Sequence, residues 1–179
     1  MTASITVRRI GAAEAGAQAE ALAQALADVL IDCVEGGASV SFMLPLPRDK
    51  ALAFWRSVLE GAARGERVLL VAETAEGRII GTVQLITALP DNQPHRADIA
   101  KMLVHRDARR RGVAGMLMAA VDQAARDEGR TVLVLDTVTG GDAERLYQRA
   151  GWHSAGSVPN YALMPDGAYC ATTFFYRQL

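Results

Sequence analysis

The chain is expected to form a mixed α/β (α+β) fold: a twisted, mostly antiparallel sheet of about seven strands with a central parallel pair and flanking helices. Three observations carry this. Short apolar runs bounded by turn residues recur from Val68 onward, as strands do. Thr131 to Thr137, TVLVLDT, is an almost unbroken apolar run, as expected for a strand covered on both faces. A helical repeat separates it from the strand before, so the two should lie parallel after a right-handed crossover. With 179 residues, 50% of them apolar, the chain can bury one full core, and residues 1–179 read as a single domain.

Ile5 to Ile10 alternates loosely and reads as a first strand. Glu14 to Cys33, within an alanine-biased stretch, is rich in helix formers and reads as one long helix; Arg48 to Ala63 reads as a second. Val68 to Thr74 and Ile79 to Leu89 flank a Glu76-Gly77 turn and make an antiparallel hairpin, followed by a Pro90 to Pro94 loop and a strand from Ala97 to Val104. A helix opens near Gly112, with Val113, Leu117, Ala120, Val121 and Ala124 on its apolar face and Asp122, Gln123 and Arg126 outside it. Beyond the parallel strand, Asp142 is expected to cap a short helix ending at Gly151. Trp152 to Val158 and Cys170 to Arg177 read as the last strands, with Asp166-Gly167 in the turn between them. The final strand, around Thr172 to Tyr176, is expected to offer pairing across a homodimer.

The densest chemistry lies in Lys101 to Ala120, where an apolar strand runs into an arginine-rich loop and then into the Gly112 helix. Backbone N–H groups of a first helical turn have no partner within the helix, and the helix dipole adds about half a positive charge there, so phosphate is a natural ligand. Arg106, Arg109, Arg110 and Arg111 add to the attraction. The loop lacks the Lys-Ser/Thr ending of a P-loop, which argues against Mg²⁺-dependent nucleotide hydrolysis, and it lacks a dinucleotide fingerprint. Phosphate binding by backbone amides, without a metal, is what this pattern supports.

Other classes are disfavoured. A net charge of −1 confines the positive field to one loop, which argues against a nucleic-acid partner. His95, His105 and His153 have no metal-ligand spacing with Cys33 or Cys170, so no metal site is expected. The absence of a leader-like segment or a long apolar span leads to the expectation of a cytoplasmic protein without a membrane partner.

Arg109-Arg110-Arg111-Gly112-Val113-Ala114 matches the pattern Gln or Arg, two residues, Gly, one residue, Gly or Ala, and DAERLYQRAGW, Asp142 to Trp152, matches a helix-plus-tyrosine segment leading into a strand. With the element order, these resemble the GNAT superfamily of acetyl-CoA-dependent N-acetyltransferases, from about Val68 to the end. DCVEGGASVSFMLPL and PNYALMPDG are similar to segments of the tabtoxin resistance branch of that family. Where the family often carries Asn, this chain has Gly140, removing one expected cofactor contact.

The resemblance implies roles. Backbone amides of Arg109, Arg110, Arg111, Gly112, Val113, Ala114 and Gly115 would cradle the coenzyme A pyrophosphate. Met102, Leu103 and Val104 would lie along the pantetheine arm, an N–H near Leu103 steadying the thioester oxygen. Tyr147 would protonate the departing thiolate, although Ala143, Leu146, Tyr147 and Ala150 share one helical face and core packing is the alternative. Ser39, Ser41 and Phe42 would line the acceptor pocket, or simply belong to a helix-to-helix loop. The acceptor is expected to be a small-molecule amine, with a protein or peptide acceptor, or a non-catalytic acyl-CoA module, as alternatives.

A lysine-like amine at pH 7 must lose a proton before attack, which costs about 4–5 kcal/mol. Asp98, placed four residues before Met102 and expected on its face, and Asp136, at the end of the parallel strand, are the candidate bases. Pairing of Asp98 with Arg96, and of Asp136 with its own loop, are the ordinary alternatives.

Overall fold

Seven strands form one sheet in the computed structural model, which describes residues 4–179. In chain order they are β1 (Ile5–Arg9), β2 (Arg67–Thr74), β3 (Ile79–Ile86), β4 (Arg96–Val104), β5 (Val132–Val138), β6 (His153–Leu163) and β7 (Tyr169–Gln178). The helices are α1 (Ala12–Ala17), α2 (Ala19–Glu35), α3 (Arg48–Ala63), α4 (Val113–Asp127) and α5 (Asp142–Arg149). Spatial order is β1-β2-β3-β4-β5-β7-β6, and β4 with β5 is the parallel pair. The expected fold class forms, with its parallel pair between antiparallel wings.

Two cores cover the sheet. Leu26, Leu30, Trp55, Leu59, Leu69 and Val71 pack α1 to α3 on one face. Val83, Leu85, Ile99, Leu117, Val121, Leu133 and Leu135 pack α4 on the other. The helical 3.6 repeat of α4 supplies its stripe, and the period-2 alternation of the strands supplies the two faces.

That alternation breaks within β4, and the break shapes the site. Ala97 and Ile99 belong to the α4 core, so Leu103 should share their face; it lies instead in the α1 to α3 core. Lys101 has φ +50, and the register steps from Gln84↔Ala100 to Thr82↔Leu103, so two β4 residues oppose one of β3. One extra residue turns every later side chain to the opposite face. Met102 therefore packs with the α4 core, and Asp98 projects from the other face, correcting the expectation that the two are aligned.

Other departures have local causes. The first helix divides at Gln18, which leaves helical geometry with φ −115. The strand from Ile79 ends at Ile86 because Thr87 and Ala88 both donate their N–H to Glu66 O. Asp122 is buried, not outside the apolar face, and pairs with Arg177 of β7 at 3.0 Å. Asp142 does not cap α5: Gly141 is the N-cap, and the exposed Asp142 carboxylate pairs with Arg145 one turn on. β6 runs on past Val158 to Leu163 with a register shift between Val158 and Ala162. β7 is bonded on both sides, to β5 and β6, so the segment around Thr172 to Tyr176 has no free edge for dimer pairing.

Candidate active site

β4 and β5 are paired only at Arg96↔Val132, Ala97↔Leu133 and Asp98↔Val134. Beyond that point β4 stays with β3 and β5 with β7, so the two strands part and open a cleft at their carboxyl ends. Unpaired main-chain groups along such an opening must find other partners, and an extended ligand can supply them.

At the mouth of the cleft stands the start of α4. Gly112 is its N-cap in the left-handed conformation, φ +79, and the first helical bond runs from Met116 N to Gly112 O at 3.1 Å. The N–H groups of Val113, Ala114 and Gly115 precede that bond, no side chain caps them, and the first turn holds no acidic residue. A Cβ built on Gly112 or Gly115 meets no protein atom within 4 Å, so the space in front of the turn is open. Gly112 is required by its backbone angle, not by crowding from the protein.

The loop that delivers this turn is fixed from α2. Asp32, 8% exposed, accepts the backbone N–H of Arg106 at 2.8 Å and pairs with the Arg106 side chain, whose Nη2 also donates to Asp32 O at 3.2 Å. Arg106 is therefore neutralised locally by Asp32. Arg109 donates Nε to Val104 O at 3.3 Å, at the end of β4. Arg110 has φ +61, a second left-handed residue two positions before Gly112. Asp32→Ala should lower stability by about 2 kcal/mol, since charge-assisted bonds are lost and the loop loses its anchor. Chemical denaturation at pH 7 measures that loss; an unchanged midpoint would show that the loop holds without it.

Tyr147 is carried on α5. Its ring is buried against Trp152 and Phe175, with centroids at 6.0 and 6.1 Å, so it packs in the core as the packing alternative expected, close enough to Asp136 to feel its charge. Burial, reinforced by the Asp136 charge, pushes its hydroxyl up to about 12. The phenol therefore stays protonated throughout the working range.

Leu133 and Leu135 pack on the α4 side, so Val134 and Asp136 project from the opposite face of β5, as Asp98 does from β4. The Asp98 carboxylate is paired with Arg96. Asp136 is exposed on this face, yet the desolvation supplied by the protein around it raises it above the ordinary carboxylate range, against the pull of Lys101, and the neighbouring Asp98 raises it further. Lys101 donates Nζ to Ser41 Oγ at 3.0 Å and lies 5.7 Å from the Phe54 ring centroid. Phe42 is buried edge-on to Phe54 at 5.2 Å. Ser39 turns away to donate to Leu163 O at 2.8 Å, and Leu44 N donates to Pro165 O, so the loop after α2 is tied to the β6–β7 hairpin.

The structure thus gathers Asp98, Asp136, Ser41 and Phe42 on one side of the parting strands, with Tyr147 on the other. Sequence reasoning passed over Asp32 and Lys101. Each carried a signal: an aspartate among Val29, Leu30, Cys33 and Val34, and a lysine inside the apolar strand ADIAKMLV. Among the described residues no cluster of His, Cys, Asp and Glu could hold a metal, and no helix is long and apolar enough to cross a membrane.

Comparison with known proteins points one way. The model of the acetyltransferase (GNAT) domain matches residues 65–154, a span that contains the cleft, the arginine loop and α5. An uncharacterized N-acetyltransferase in the hisH-hisA intergenic region of Azospirillum brasilense is 34% identical over 107 residues, which make up 59% of this chain and 61% of that protein. A GCN5-related N-acetyltransferase from Kribbella flavida superposes with a TM-score of 0.76 at 23% identity, over 98% of both chains. The yncA protein of Salmonella typhimurium, described as an acetyltransferase and solved with its cofactor acetyl-CoA, superposes at 0.74 with 19% identity, over 98% of this chain and 94% of that one. At these identities the structural likeness is one of fold.

Proposed function

The chain belongs to the GNAT acetyltransferase family, and from that membership we propose that it moves the acetyl group of acetyl-CoA to the amine of a small molecule, both bound together in the β4–β5 cleft. The observation that carries the reading is the parting of β4 from β5 at the open amino end of α4. Acetyl-CoA supplies an activated acetyl carbonyl on a thiol leaving group. The pyrophosphate fits the open space before Val113, Ala114 and Gly115, whose N–H groups and helix dipole favour an anion, with Arg109, Arg110 and Arg111 around them. Met102, Leu103 and Val104 offer the parted strand edge to the pantetheine amides, and the N–H near Leu103 is the donor for the carbonyl oxygen.

Asp136 is the base, directly or through one water. It carries no ion pair with a cation, whereas Asp98 is occupied by Arg96. It takes one proton from the ammonium; the freed nitrogen bonds the acetyl carbon, the C–S bond breaks, the nitrogen's second proton passes through water to the sulfur, and Tyr147 donates a hydrogen bond to the departing thiolate. A thiolate whose conjugate acid has a pKa of about 8.5 is a weaker base than tyrosinate by about 3.5 units, or about 5 kcal/mol, so Tyr147 acts through that hydrogen bond as charge develops and keeps its own proton. The loop after α2, with Phe42 and Ser41, closes the acceptor side and suits a small amine. The free thiols Cys33 and Cys170 fit a reducing, cytoplasmic setting.

The pH dependence follows from the raised Asp136. Only the ionised carboxylate accepts a proton, so kcat/KM should fall with decreasing pH through a limb lying above the ordinary carboxylate range. Asp136→Asn should remove that limb and lower kcat/KM by about 10- to 100-fold. Tyr147, at about 12, should add no alkaline loss below about pH 11. Thiol release followed from pH 4 to 10 in both proteins checks this, and an unchanged acid limb in Asp136→Asn would remove Asp136 as the base.

A further inference from the structure

We infer that Lys101 and Asp136 together select the acceptor, and that it is a small zwitterion whose carboxylate seats on the Lys101 ammonium while its amino group lies at Asp136. This rests on the acetyl-transfer reading and goes further by naming the charge pattern of the substrate.

The first support is backbone geometry. Four described non-glycine residues have positive φ: Ser41 at +76, Lys101 at +50, Arg110 at +61 and Asn160 at +53. Two of them, Ser41 and Lys101, sit sixty positions apart and meet in one hydrogen bond of 3.0 Å between Nζ and Oγ. Side chains seldom tolerate this conformation, and strained residues persist where function holds them. Here strain at both ends serves to aim one ammonium. Without the extra residue in β4, the strand would keep its alternation through this point.

The second support is charge. An ammonium has three donors; Ser41 takes one, and the Phe54 face at 5.7 Å attracts the charge without consuming a donor. Among the described residues no carboxylate forms an ion pair with Lys101, and burial lowers its pKa. Asp136, exposed on the facing strand and among the described residues in no ion pair, is a carboxylate that partial desolvation raises. Each is near enough to influence the other, but they do not close into an ion pair. Asp98 of β4, already paired with Arg96, and the Ser41 hydroxyl lie on the same side of the strands, and the neutral hydroxyl of Tyr147 lies on the other. Two opposite, partly dehydrated charges set apart across a cleft are both satisfied by a molecule that carries the complementary pair. A polyamine would satisfy Asp136 and meet repulsion at Lys101. A neutral amide would leave Lys101 unpaired.

The test compares each of a set of amino acids with its carboxamide and its decarboxylated amine, following thiol release from acetyl-CoA and, separately, acetyl-CoA binding by titration. The wild type should favour the carboxylate-bearing member by about tenfold or more in kcat/KM, as one charge-assisted contact allows. Lys101→Met should bring that ratio close to unity, chiefly through KM, with acetyl-CoA affinity retained. Lys101→Arg should keep the preference, since the charge survives. A wild-type preference for carboxamides or decarboxylated amines, or an undiminished ratio in Lys101→Met, overturns the inference and leaves acetyl transfer standing. Failure of the wild type to bind acetyl-CoA saturably overturns the transferase reading, and this inference with it. The wild-type comparison decides the matter even where a Lys101 variant fails to fold.

Discussion

Gly112→Glu should weaken acetyl-CoA binding by about a hundredfold or more while costing only about 1–2 kcal/mol of stability. The two effects separate because the site and the fold use Gly112 differently. The fold needs its φ of +79, which an ordinary side chain adopts at a cost of about 1–2 kcal/mol. That amounts to a fall of about 2–8 °C in melting temperature for a domain of this size. No protein atom lies within 4 Å of a Cβ there, so the side chain meets open space and the core is untouched. That same space is where we propose the pyrophosphate sits, and the glutamate would place a carboxylate against the N–H groups of Val113, Ala114 and Gly115. Gly112→Ala is the informative control, since it carries the same backbone strain without charge or bulk. Titration with acetyl-CoA should show a modest loss for alanine and a large one for glutamate. Equal affinities in all three proteins would move the pyrophosphate away from α4.

Tyr147→Phe should lower kcat by about 10- to 100-fold and leave acetyl-CoA affinity within about twofold, because a hydrogen bond to a charged atom is worth about 1.5–3 kcal/mol. The ring stays, so its contacts with Trp152 and Phe175 survive and the melting temperature should hold. Removing the ring is a different experiment: Tyr147→Ala would open a cavity in the α4 core and cost about 3–5 kcal/mol. The phenylalanine variant alone separates chemistry from packing. Undiminished transfer by Tyr147→Phe would reduce Tyr147 to a core residue.

Much of this was legible in the sequence, because local pattern and global fold agree over most of the chain. TVLVLDT reads as a strand and forms one, but only its α4 face is buried: Leu133 and Leu135 pack in the core, while Val134 is half-buried and Asp136 exposed on the other face, so the expected cover on both sides is not there; Val113, Leu117 and Val121 form one face of a helix docked on the sheet, as their spacing requires. Gly112 stood out in the sequence as the start of the α4 helix, but the reason the fold needs it did not: its left-handed angle cannot be read from residue types, and the open space before it belongs to the fold. What escaped depends on partners distant in sequence. Asp122 reads as a surface residue until Arg177 of β7 is placed beside it. Asp32 looks like an anomaly in an apolar helix until Arg106 arrives, 74 positions later. The bulge at Lys101 is the most consequential case. Period-2 counting put Asp98 and Met102 on one face, and a single inserted residue, invisible to counting, parts them and turns Lys101 toward Ser41.

The central claim is that the β4–β5 cleft joins acetyl-CoA to an amine. Incubation of the wild-type protein with acetyl-CoA and a panel of amino acids, amides, polyamines and peptides, with mass-spectrometric identification of the product, tests it most directly. An N-acetylated small amine should form in step with released thiol, and both should be lost in Gly112→Glu. Saturable acetyl-CoA binding with no acetylated amine anywhere in the panel would contradict it and leave a protein that binds the donor without using it.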